Sequence, residues 1–189
     1  MEAGLRAPAE DLDDKRRRIV DTAFYAGYGA DMNFAALSLD GYGVTAWGEI
    51  HLELDQRAIG YRSTVLEENS FSYVEKKALA SRILRKEHAP IEGGLATWDQ
   101  RGILVACKLA PALNRRARTT EISSLLIQNT QEKKAADFLE VHIFGPYNHQ
   151  AVTAVRSTKK RFTQPENNSF FDALSHVLAK RPDVTFHRP

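Results

Sequence analysis

Between Phe138 and Pro146 the chain reads Phe-Leu-Glu-Val-His-Ile-Phe-Gly-Pro, and no other stretch limits its folding so narrowly. From Phe138 to Phe144 apolar and polar positions alternate as on a half-buried β-strand, not with the period of a helix. Leu139, Val141 and Ile143 share one face, while Phe138, Glu140, His142 and Phe144 share the other. The first face demands a core. The second sets a carboxylate beside an imidazole between two aromatic rings, and Gly145-Pro146 then stops the strand. Side chains two positions apart on a strand point the same way, roughly 7 Å apart, and can touch one small ligand. Glutamate there can stabilise a cationic transition state, and imidazole can hydrogen-bond a substrate or carry a proton. An ordinary surface strand bears the same residue types, so the alternation alone leaves both readings open.

A strand of this kind needs a sheet and a layer to cover it. With 189 residues, 43% of them hydrophobic, the chain has enough material for one domain with a core and is short for two. The expected organisation is a flexible N-terminal segment over residues 1–10 and a single α+β domain over 11–189. No apolar run reaches the ~18 residues of a membrane helix, and the first ten residues lack the apolar core of a signal peptide. The single cysteine, Cys107, excludes an internal disulfide and fits a reducing compartment, and its apolar neighbours read as a buried, inert thiol. Six scattered His form no HxxxH or HExxH pattern, so no metal site is expected.

Periodicity and punctuation give the remaining elements. A helix is expected over Asp11–Ala26, with Leu12, Ile19, Val20, Ala23 and Phe24 on its apolar stripe. Strands are expected over Phe34–Leu39, Glu49–Leu54 and Ile59–Leu66; in the second, Ile50, Leu52 and Leu54 face inward and His51 faces away. Ser72 and Glu75 have capping-box spacing ahead of a helix that runs through Ile83 and Leu84. Thr97 and Gln100 repeat that spacing before Ile103, Leu104 and Cys107, where a helix or a buried strand would fit. Ile122–Gln128 is expected to pair with Phe138–Phe144 across the polar Gln131–Lys134 connection. Asn148 would cap a short helix through Val152 and Val155. Pro165–Asn168 reads as a loop before a helix headed by Ser169, with an edge strand over Val184–His187. Helices and strands mix without a βαβ rhythm or a phosphate-loop glycine pattern, which points to α+β with a central antiparallel sheet flanked by helices.

Three further features can carry chemistry. Arg62-Ser63-Thr64 combines a guanidinium fork with hydroxyl donors, the means of holding a phosphate or carboxylate. His51 and His149 are surface or capping candidates, although His142 with His149 and Lys159-Lys160 could serve a metal-independent nuclease or RNA-processing domain. Charge is uneven despite a net of +2: residues 101–120 hold Arg101, Lys108, Arg115, Arg116 and Arg118 without an acid, and the chain after Ala151 is also basic. Such patches attract phosphates or are simply solvated surface.

Taken in order, Gly41-Tyr42-Gly43 leading into Gly48–Leu54, then Arg62-Ser63-Thr64 with Asn69-Ser70, then Phe138–Pro146 resemble the ADP-ribosyltransferase-like domains of bacterial polymorphic toxins and related uncharacterised families. Those families show Asp-Ser where this chain has Asn69-Ser70, and transferases show Glu-x-Glu or Gln-x-Glu where it has Glu140-x-His142. The resemblance implies a toxin or effector that transfers ADP-ribose from NAD to a macromolecular acceptor, protein or nucleic acid. Glu140 would stabilise the ribosyl cation and His142 would hydrogen-bond ribose or acceptor. Arg62, Ser63, Thr64 and His51 would bind NAD. A cognate immunity protein or antitoxin would be a partner, and the site of action would be cytoplasmic, in the producing or a target cell. A non-enzymatic protein- or nucleic-acid-binding module is the remaining alternative.

Overall fold

The structure, a computed structural model, describes residues 12–113, 118–130, 136–158 and 165–187. Helix α1 (Leu12–Tyr25) leads through a 3-10 turn into β1 (Met32–Ala36). Next come β2 (Ile50–Leu54), the short α2 (Gln56–Ile59) and β3 (Ser63–Leu66). Helices α3 (Ser70–Lys76) and α4 (Ala80–Leu84) precede β4 (Leu95–Thr97) and α5 (Arg101–Leu109). Helix α6 (Thr119–Leu126) runs into β5 (Ile127–Gln128), followed by β6 (Asp137–Phe138), β7 (Glu140–Phe144), β8 (Val152–Ser157), α7 (Pro165–Leu178) and β9 (Thr185–His187).

The strands divide between two main sheets. One is antiparallel throughout, in the order β1-β7-β3-β4. The other is β2-β8-β9, in which β9 joins β8 in parallel, and β5 with β6 forms a separate two-stranded ladder. The α+β class is as expected; the one central sheet is replaced by two. The cause is Val152–Ser157, whose β-branched Val152, Thr153 and Val155 extend as a strand against β2 instead of continuing the turn that Asn148 caps.

Strand β7 is an inner strand buried on both faces. On one, Val141 and Ile143 pack with Val65 of β3 and with Leu109 and Leu126 of α5 and α6. Burying each of these apolar side chains contributes about 1.5–3 kcal/mol. On the other, Leu66 meets Val20, Ala23 and Phe24 of α1, together with Tyr73 and Ile83 of α3 and α4. Phe171, Leu174 and Leu178 of α7 cover the second sheet at Val152 and Val155. Glu140 and His142 therefore lie between a sheet and a helix.

Several expectations are corrected. Ile122 belongs to a helix, so β7 pairs with β1 and β3, and only Ile127-Gln128 extends beside β6. Residues 56–62 are helical turns, which shortens the strand at Arg62-Ser63-Thr64. Asn69, not Ser72, caps α3: its side chain accepts from Ser72 N and donates to Ala136 O. The helix expected through Leu84 breaks after Lys77, where Ala78 takes a φ of +52°. Ile50 and Leu54 pack inward as expected, but Leu52 is exposed, and His51 is buried because the Tyr42-Gly43 turn folds over it. Ile19 is exposed, and α7 begins at Pro165. Cys107 is exposed on α5 beside a 480 Å³ cavity, so it is not a core thiol. The expected N-terminal segment 1–10, Arg115-Arg116, Gln131–Lys134 and Lys159-Lys160 lie outside the described residues. No helix among the described residues is long and apolar enough to cross a membrane.

The seat of α1 depends on a close backbone approach. Helix α1 ends where Ala26 adopts a φ of +48°, and the chain folds back so that a Cβ on Gly29 would lie 2.9 Å from the Asp21 carbonyl carbon and oxygen. Backbone cannot retreat as a side-chain tip can. Gly29→Ala is expected to destabilise the fold by about 1–3 kcal/mol, read as a lower urea midpoint; an unchanged midpoint would show that α1 can shift freely.

Candidate functional site

Strand β7 supplies Glu140 and His142, β1 supplies Phe34 and the first turn of α3 supplies Ser70. Helix α1 adds Arg17, Asp21 and Tyr25, one turn apart along the face turned toward the sheet. The Arg17 guanidinium is the hub. Its Nη2 donates to Glu140 Oε1 at 2.6 Å, its Nη1 donates to Ser70 Oγ at 2.8 Å, and its Nε lies 2.9 Å from Asp21 Oδ1. Its carbon centre sits 3.5 Å from the centre of the Phe34 ring, a stacked cation–π contact. The Ser70 backbone N–H donates to the second Glu140 oxygen at 2.7 Å. The Tyr25 hydroxyl bonds His142 Nδ1, and His142 Nε2 faces Glu140 Oε1 at 3.4 Å. Glu140 and His142 are 2% and 1% exposed, so the cluster is closed to solvent.

One guanidinium cannot neutralise two buried carboxylates, and their environments decide which keeps its charge. Burial opposes ionisation of Glu140, but Arg17, then His142, override it and draw its carboxyl down to about 2. Burial dominates at Asp21 and Glu140 repels its charge, so despite Arg17 its carboxyl is pushed up to about 7. Arg17 is held above its ordinary value: burial opposes its charge, and Glu140 and Asp21 more than restore it. Burial and Glu140 both raise the Tyr25 phenol, which keeps its proton for His142.

The residues expected to act together are only partly assembled. Thr64 lies directly across from His142, and Leu66 across from Glu140, so Thr64 shares the Glu140 face. Ser63 pairs with Ile143 on the opposite, apolar face and spends its hydroxyl on Ile59 O. Arg62 donates to Phe144 O at the far end of β7; its Nε is buried without a hydrogen-bond partner. It lines a 370 Å³ cavity with Tyr147, Asn148 and Gln150. His51 belongs to the second sheet, where Nδ1 accepts from Gly43 N and burial lowers its pKa. His142 is sealed, while His149 is exposed in the turn before β8.

Arg17, Asp21 and Phe34 carry no motif in the sequence, while Ser70 belongs to the Asn69-Ser70 pair that follows Arg62-Ser63-Thr64. The signal for Arg17 was its position: it precedes Val20 by three and Phe24 by seven, so it lies on the apolar stripe. Among the described residues no group of three or more His, Cys, Asp or Glu could hold a metal ion. No family model, curated protein or solved structure matches the chain.

These charges set opposite pH dependences. The Asp21 value is raised in the folded protein, so stability is greatest below the unfolded value near 4 and declines as pH rises toward about 7. The Glu140 value is lowered, so its contribution is lost as pH falls from about 4.5 toward about 2. Asp21→Asn is expected to abolish the decline between about pH 4.5 and 7.5 in urea midpoints; a wild type already flat across that range would contradict this assignment.

Proposed function

We propose that this chain is an NAD-dependent ADP-ribosyltransferase-like domain, a toxin or effector that modifies a macromolecular acceptor, drawn here with its catalytic face closed. The carrying observation is Glu140: a carboxylate kept ionised on an inner strand, accepting from Arg17 Nη2 on one oxygen and from the Ser70 backbone N–H on the other. Beside it runs β3, which begins at Ser63 directly after Arg62, in the order of the motifs that resemble those families. A catalyst of glycosidic cleavage needs a fixed negative charge where positive charge develops, and burial strengthens its effect.

NAD would supply an ADP-ribosyl group: the bond from ribose C1′ to nicotinamide breaks with its electron pair on nicotinamide, and the acceptor nucleophile bonds C1′ and releases its proton. Glu140 opposes the charge that builds as that bond breaks. His142, aligned by Tyr25, hydrogen-bonds a hydroxyl of the ribose or of the acceptor. Arg62 fits a phosphate, since it has an unpartnered Nε and no carboxylate partner among the described residues. Ser63 serves the fold, and His51 serves the second sheet.

The test starts from Arg17→Ala in the full chain, which uncovers Glu140. Incubation with NAD is expected to release nicotinamide and label an acceptor, with adding Glu140→Gln cutting the rate by on the order of 100- to 1,000-fold. Absence of NAD turnover in Arg17→Ala, or turnover indifferent to Glu140→Gln, would remove the transferase reading.

A further inference from the structure

We infer that Phe34, Glu140 and Ser70 form a binding site for a planar organic cation, and that Arg17 of α1 occupies it from within the chain. Each of the three comes from an element other than α1, and together they meet every requirement of such a ligand. The Phe34 ring offers a flat face at 3.5 Å, Glu140 offers a carboxylate oxygen at 2.6 Å, and the Ser70 hydroxyl accepts at 2.8 Å. The Phe71 ring closes one side at 5.8 Å. A second Glu140 oxygen is already held by Ser70 N, so the carboxylate is oriented whether or not Arg17 is present.

The way α1 is attached supports an occupant that can leave. Along its first half Lys15, Arg16, Arg18 and Ile19 are exposed, and Arg17 is the described side chain that reaches inward. The second half is anchored by Val20, Ala23 and Phe24, and by Ala89 N donating to Ala23 O. Among the described side chains of the first half, Lys15 to Ile19, the guanidinium is thus the tie to the sheet. A ligand that takes the place of that guanidinium competes with the helix.

Two planar cations fit the ring face and the charge: the guanidinium of an arginyl side chain, and the pyridinium of oxidised nicotinamide, whose carboxamide N–H groups would be its donors to Glu140 and Ser70. The tie to ADP-ribosyl transfer rests on the proposed function; the site itself does not. In Arg17→Ala, methylguanidinium at millimolar concentration is expected to raise the melting temperature by several degrees, while its uncharged isostere methylurea leaves it unchanged. N-methylnicotinamide cation tested in parallel separates the two sources: rescue by it points to the leaving group, and rescue by methylguanidinium alone points to an arginyl acceptor. Adding Glu140→Gln should abolish either rescue. Should Arg17→Ala not fold, hydrogen exchange of the wild type serves instead: methylguanidinium, and not methylurea, should speed exchange across residues 12–19 selectively. Equal effects of the charged and uncharged compounds, or no effect of either cation in both measurements, would overturn the site. The same result with NAD turnover intact would leave the transferase reading standing.

Discussion

The contact between Arg17 and Glu140 joins helix α1, the inner strand β7 and, through Ser70, the start of α3. A carboxylate on an inner strand has no water to solvate it, and a bare buried charge costs several kcal/mol. Arg17, Ser70 and His142 together make that burial tolerable. In return the pair fixes the height of α1 above the sheet, and through Ser70 it fixes the start of α3. Removing Arg17 takes from the buried Glu140 carboxylate its main opposite charge, which is why such pairs are strongly coupled even when their net contribution is small.

The two ends of β7 differ in kind. At Glu140 the environment is shut and polar, with both carboxylate oxygens accepting hydrogen bonds. At Phe144 the strand emerges beside Arg62 and a cavity walled by Tyr147 and Asn148. Four residues of strand separate them, roughly 13 Å. The ionised carboxylate lies at the covered end, while the Arg62 guanidinium lies at the open end.

The sequence announced β7 clearly because strict alternation has no helical counterpart. It misled about the surroundings because alternation assigns faces without saying what covers them. Glu140 and His142 are polar types on a face that turned out to be a helix–sheet interface. The cover was legible only in part: Val20, Ala23 and Phe24 marked an apolar stripe, but Arg17 was hidden in the run Lys15-Arg16-Arg17-Arg18, which resembles a solvated charge cluster. Ile122–Gln128 failed for a different reason. Its Ile and Leu residues suit either period, and packing of α6 against α5 chose the helix over the strand. Val152–Ser157 became a strand because β2 offered it a partner a hundred residues away, information no local window holds.

That last pairing bears on how the chain reaches its native state. His51 waits for Arg156, and Phe34 waits for His142, so neither main sheet can close from neighbouring sequence. Closing loops of this length before any strand pairing rewards them makes folding slow relative to a helical chain of equal size. During synthesis β1, β2 and β3 leave the ribosome well ahead of β7 and β8, presenting unpaired backbone and apolar faces in the interval. The nascent N-terminal half is therefore the aggregation-prone stage of this protein's life, and whatever shelters it then acts before any site exists.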